Sequence, residues 1–145
     1  TASMLSFVLT YERIPHEIAT VITQYASNWI IFILFVNIVF LLLGMVMDAL
    51  PAIIVLLPII VPVAVQFGIE PIHLGILVEA NVGLGMITPP VGICLYVACG
   101  ISKIPLEKTV KTLLPFLFVL AITTLIISFV PEITLFVPRL LGFVP

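Results

Sequence analysis

Residues 83–92 read GLGMITPPVG, a Gly- and Pro-dense interruption in a segment that is otherwise apolar from Ile72 to Ile101. Pro89 and Pro90 carry no N–H, and Gly83, Gly85 and Gly92 have poor helix propensity, so a helix entering from Ile72 must stop here. In hydrocarbon the carbonyls freed by such a stop have no water to bond. Irregular backbone of this kind survives only where protein encloses it or where it lines a cavity. A single proline would read as a packing kink. Two adjacent prolines with Thr88 and three glycines favour a discontinuous helix at a transport site near mid-membrane.

The rest of the chain sets the class. Hydrophobic residues make up 63% of the 145 residues and charged ones 8%, against about 25% charged in soluble domains. Mean hydropathy is +1.43. An all-α integral membrane protein is expected. A net charge of −2 offers no basic surface for nucleic acid. Cys94 and Cys99 match neither a redox nor a zinc spacing and read as small buried packing residues. The opening Thr1-Ala2-Ser3, without initiator Met or cleavage signature, is expected of a fragment of a longer polypeptide.

Segments follow from length and pattern. Residues 1–11 read as the end of a preceding membrane helix. Residues 12–28 place Ile14, Ile18, Val21, Ile22 and Tyr25 opposite Glu17, Thr20, Gln24 and Asn28, an amphipathic arm helix suited to the interface. In 29–67, apolar arms flank a tip at 44–51, and each arm falls short of the ~20 apolar residues a full crossing needs. The tip holds Asp48, a charge that is expensive at depth. A re-entrant helical hairpin is the economical reading, with two ordinary spans as the alternative. Residues 72–101 form a broken membrane helix with its break at 83–92. Residues 102–112 carry Lys103, Lys108 and Lys111 and read as a cytoplasmic loop by the positive-inside rule. A membrane helix over 113–130 and an apolar C-terminal tail over 131–145 complete the chain.

The hairpin tip and the helix break share a chemistry. Both present oxygens: carbonyls loosened by Gly and Pro, the Thr88 hydroxyl and the Asp48 carboxylate. Oxygen ligands suit hard cations, and unwound carbonyls at helix C-termini are the usual Na⁺ cage in secondary transporters. Gly44, Asp48, Gly85, Thr88 and Pro89 are therefore the candidate Na⁺-binding positions. A helix restarting after Pro90, at Val91 and Gly92, points its positive N-terminal end at the same place, where an anionic substrate could sit. Asn81, buried in the run before the break, is expected to orient it, so Asn81, Pro90, Val91 and Gly92 are the candidate substrate-binding or orienting set. Glu79 lies in the same run, and function and pairing with absent protein weigh equally for it. Glu70-Pro71-Ile72-His73 has a Glu-x-x-His spacing but occurs once, so a helix cap beside an interfacial His is preferred to a metal pair. Thr123, Thr124 and Ser128 are expected to bond back to their own helix. No nucleophile–base set for catalysis is visible, so no enzyme is expected.

GMVMDALPAIIVLLPIIVP (44–62), GIEPIHLGI (68–76) and GLGMITPPVG (83–92) resemble the C-terminal part of the large membrane subunit of tripartite ATP-independent periplasmic (TRAP) transporters. The resemblance covers nearly the whole chain, with three motifs in order. It implies the second inverted repeat of an elevator-type transporter in a bacterial inner membrane, importing organic acids such as C4-dicarboxylates or sialic acid with Na⁺. It also implies as partners the N-terminal part of the large subunit, a small membrane subunit and a periplasmic substrate-binding protein. A divalent-anion/Na⁺ symporter-like carrier without a binding protein, whose hairpin tips carry Ser-Asn-Thr where this chain has Met47-Asp48-Ala49, stays open. So does a structural membrane-assembly subunit, although that role needs no double-proline break.

Overall fold

The structure, a computed structural model, describes residues 28–142. The expected helix end at 1–11 and nearly all of the arm helix at 12–28 lie outside the described residues. α1 (Trp29–Val46) starts where the Asn28 side chain accepts from Ile30 N, and ends at Met47 in extended backbone. α2 (Ala49–Gln66) starts where Asp48 Oδ1 accepts from Ala49 N at 2.7 Å. The connection is thus Met47–Asp48 alone. Gly44–Val46 close α1, and Ala49–Pro51 open α2. Each arm has 18 residues, about 27 Å of helix, and meets the length and apolarity of a membrane span. Arm length therefore gives no argument for re-entrance, which must rest on where the turn sits.

α3 (Pro71–Met86) begins with Pro71 at its first position, where the missing N–H costs nothing. Glu70 precedes it but makes no side-chain cap bond, and His73 is buried within the protein at 1% exposure. α4 (Ile93–Ser102) follows the break, and Lys103 ends it in the left-handed region at φ 55°. α5 (Leu106–Phe129) begins sooner than the polar stretch suggests. The link from α4 is only Lys103–Pro105, and Thr109 and Thr112 already bond back to the carbonyls of Pro105 and Lys108. α6 (Pro131–Leu140) is helical where a plain apolar tail was expected. Glu132 lies in its first turn and Arg139 in its last, the placement the helix dipole favours.

α3 is the centre of the bundle and touches each of the other five helices. Its Leu74, Leu77, Val78 and Val82 share a core with Phe32, Ile33, Val36 and Phe40 of α1 and Ile60, Val63 and Ala64 of α2. Phe32 stacks on Phe67 at 5.2 Å, closing the open end of the α1–α2 pair, and Trp29 meets Phe129 edge-on at 6.3 Å, tying the start of α1 to the end of α5. Most apolar side chains of α5, among them Phe116, Phe118, Val119 and Ile126, face outward. An apolar exterior of this kind suits lipid. Cys99 is buried, whereas Cys94 is exposed, so only one of the two cysteines is a packing residue here.

Candidate functional site where two chain interruptions meet

α1 and α3 run parallel: Asn37 meets Asn81 in their middles, and Gly44 meets Gly85 near their ends. The glycine crossing is a backbone-to-backbone contact. A Cβ on Gly44 would lie 2.6 Å from Val82 O, and one on Gly85 would lie 2.6 Å from Leu41 O and 2.7 Å from the Gly44 backbone. Just beyond the crossing, Gly92 N donates to Met45 O at 3.1 Å. The hairpin turn and the helix break, 40 residues apart in sequence, are thereby one locus. Two helix C-termini (α1, α3) and two N-termini (α2, α4) end or start there.

The break is as irregular as its prolines require. Pro89 and Pro90 occupy the positions whose N–H groups would have served Gly85 O and Met86 O. Thr88 N reaches back to Gly85 O at 2.9 Å, Ile87 N to Leu84 O at 3.3 Å, and the Thr88 hydroxyl donates to Leu84 O at 2.6 Å. Thr88 Oγ1 keeps its lone pairs. Among the described residues no backbone N–H is directed at the carbonyls of Met86, Ile87 or Thr88. The Pro89–Pro90 peptide is cis. Gly92 takes φ 51° as the cap of α4, and a Cβ there would stand 2.9 Å from Thr88 O, so both conformation and space call for glycine. Pro89 is half-buried, and Pro90 and Val91 are exposed.

The candidate residues thus divide. Gly44, Gly85, Thr88, Pro89, Pro90, Val91 and Gly92 lie at or beside the meeting point. Asp48 is exposed at the turn, with its carboxylate on Ala49 N. Glu79 is exposed on α3. Asn81 is buried one turn before Gly85 and joins a polar cluster that the sequence did not reveal. Its Nδ2 donates to Asn37 Oδ1 at 2.5 Å and to Leu77 O at 2.7 Å. Asn37 Oδ1 also accepts from Ser128 Oγ at 2.9 Å, while Asn37 Nδ2 donates to Ile33 O. The one Ser128 hydroxyl proton also has Thr124 O at 2.7 Å, so the expected back-bond shares that proton with an acceptor on another helix. His73 extends the cluster, with Nε2 3.3 Å from Ser128 O and Nδ1 2.7 Å from the Thr134 hydroxyl. With Nε2–H donating to Ser128 O, a neutral ring needs the Thr134 hydroxyl proton at Nδ1, and Pro131 O at 2.9 Å competes for that same proton. Asn37 was visible as the lone amide in an apolar run. Ser128 and Thr134, 91 and 61 residues from their partners, carried no local signal.

Two clefts flank this framework. One, about 130 Å³, opens beside the amides and is lined by Asn37, Asn81, Leu41, Leu84 and Thr124. The other, about 410 Å³, lies at the opposite end of α3 among Trp29, Glu70, His73, Glu132 and Arg139, away from the break.

Among the described residues the chain is all-helical, with three helices long and apolar enough to cross a membrane and two interruptions that meet at one point, the make-up of a multi-pass membrane protein. Residues 1–133 match the family described as tripartite ATP-independent periplasmic transporter, DctM component, and the chain belongs to that family. It is 40% identical over 141 residues to the C4-dicarboxylate TRAP transporter large permease protein DctM of Pseudomonas aeruginosa, covering 97% of this chain and 33% of that protein. It is 37% identical over 140 residues to the protein of the same description in Vibrio cholerae, covering 97% of this chain and 31% of that one. The isethionate TRAP transporter permease protein DctMQ of Oleidesulfovibrio alaskensis is 34% identical over 135 residues, 93% of this chain and 21% of its own length. The chain therefore spans about a third of the curated relatives it matches, and less of the last. These relatives are permeases, not enzymes.

Proposed function

We propose that this chain forms part of a Na⁺-coupled secondary transporter that imports small organic acids handed over by a periplasmic binding protein. The observation that carries the reading is the meeting of the hairpin turn and the helix break through Gly44, Gly85 and the Gly92–Met45 bond. Two helix C-termini offer carbonyls to a cation, and the start of α4 offers its positive end to an anion. Na⁺ would be held by the Thr88 hydroxyl and by carbonyls at Gly44, Gly85 and Pro89, with Asp48 close enough in sequence to contribute from the turn. The substrate anion would sit against Pro90, Val91 and Gly92.

The relatives' printed substrates, C4-dicarboxylates and isethionate, are all small organic anions, and the first class is the one proposed here. A small membrane subunit, the rest of the large subunit and a binding protein would complete the assembly in an inner membrane. Helix lengths support a re-entrant hairpin. The turn lies level with the break, and α4 runs a further 10 residues, about 15 Å, before Lys103. α5, at 24 residues or about 36 Å, then returns to the end marked by Trp29 and Phe129. A rocking or elevator motion of such a unit would carry both ions together. The test is uptake of labelled succinate into proteoliposomes holding the intact permease, its small subunit and its binding protein, with and without a Na⁺ gradient. Uptake that needs both the gradient and the binding protein is expected. Uptake indifferent to Na⁺ would refute the coupling, and uptake without the binding protein would favour a symporter of the divalent-anion type.

A further inference from the structure

Within α1, from Trp29 to Val46, Asn37 is the one amide or charged side chain, and it is 4% exposed. Its carbonyl oxygen has two lone pairs: one accepts from Asn81 of α3, and the other faces the Ser128 hydroxyl of α5, whose single proton it shares with Thr124 O. Its amide nitrogen is held by Ile33 O. Among the described residues no buried side-chain polar atom lacks a partner, so the cluster is closed. Apolar ridges of two parallel helices tolerate small slides and rotations. A buried amide pair does not, because any other register leaves polar groups unpaired in an apolar setting.

The position of this pair matters for what lies beyond it. Asn81 stands one turn before Gly85, and Asn37 two turns before Gly44. At the crossing the backbones have no slack. Displacement of α1 along α3 would therefore pass to Met45 O, to its bond with Gly92 and to the carbonyls of the break. We infer that Asn37 and Ser128 are positioning residues for the ion site: the Asn81–Asn37–Ser128 cluster sets the register of α1 on α3 and thereby the spacing of the cation ligands at the break. Neither residue touches the ion. The inference rests on the Na⁺-coupled reading given above.

The experiment is Na⁺ activation of succinate uptake by the reconstituted permease, comparing wild type with Asn37→Ala, Asn81→Ala, the double variant and Ser128→Ala. Each single substitution should raise the half-saturating Na⁺ concentration about 3- to 20-fold, the range that one interhelical hydrogen bond in a membrane bundle supports. The double variant should shift it no further than the larger single one, since both singles remove the same bond. Ser128→Ala keeps the Asn37–Asn81 bond, preserves folding, and should give a smaller shift in the same direction. Variants that lower protein yield or melting temperature while leaving the Na⁺ constant of surviving transporters at the wild-type value would overturn the inference, as would fully additive shifts. If Ser128→Ala is the one variant that inserts, its unchanged Na⁺ constant would overturn it too. Wild-type uptake indifferent to Na⁺ would sink both this inference and the coupled reading, whereas Na⁺-dependent wild type with unshifted variants would sink this one alone.

Discussion

Glycine does two different things in this chain, and the difference is testable residue by residue. At Gly44 and Gly85 the missing side chain is what lets α1 and α3 touch backbone to backbone. At Gly75 and Gly83 a Cβ would meet nothing within 4 Å. Gly83→Ala should therefore be neutral or stabilising by up to about 1 kcal/mol, the usual helix-interior gain. Gly85→Ala should destabilise by about 1–3 kcal/mol or more, because both clashing neighbours are backbone and cannot swing aside. Thermal unfolding of the detergent-purified permease distinguishes them. Equal melting temperatures for Gly83→Ala and Gly85→Ala would mean that the crossing is looser than the structure has it. Small-residue crossings of this type are a common way for membrane helices to approach, since burial from water supplies no drive between them.

At the scale of the element, the prolines and glycines were legible because their effect is local. Pro89 and Pro90 delete donors four residues after Gly85 and Met86 whatever the rest of the protein does. The break at 87–92 falls inside the expected 83–92, with α3 running on through Gly83 and Gly85 to Met86. Elsewhere the polar pattern misled. The lysine-rich 106–112 is the opening of α5, since Lys and Glu are good helix formers and their charge reports exposure rather than loop. The tail beyond Pro131 is a helix because Pro at a first helical position starts a helix as readily as it ends one. The hairpin is the element whose membrane placement can be measured directly. With Cys94 and Cys99 replaced, a single cysteine at Ala49 should resist impermeant thiol reagents from the cytoplasmic side in at least one transport state. A cysteine at Lys108 should label there readily, and one at Glu70 only from the periplasm. Free cytoplasmic labelling at Ala49 in every state would instead establish α1 and α2 as two ordinary spans.

Across the whole molecule, what sequence could not supply was convergence. Asn37 and Ser128 are 91 residues apart, His73 and Thr134 61, and nothing local announces that α1, α3, α5 and α6 share one polar cluster. Likewise Glu79, an apolar-run carboxylate, looks buried in the sequence yet stands exposed on this part of the protein, while Ser128, expected only to bond back to its own helix, is fully buried. Both follow from α3 being central: its inward face, and the face of α5 that meets it, are chosen by packing on the neighbouring helices, not by their own hydropathy. The same convergence brings the Thr88 hydroxyl and the carbonyls of Met86, Ile87 and Thr88, which receive no backbone N–H among the described residues, next to the hairpin turn. That this meeting point holds the coupling cation is the central claim, and Thr88→Val tests it most directly by removing one oxygen while keeping the shape. In the reconstituted permease at saturating succinate, the half-saturating Na⁺ concentration should rise about 5- to 150-fold, corresponding to roughly 1–3 kcal/mol for one lost ligand. Asp48→Asn, which can still cap α2, should shift it by a similar factor only if the carboxylate is itself a ligand. A Thr88→Val transporter with wild-type Na⁺ activation would place the cation somewhere other than the junction of the hairpin turn and the broken helix.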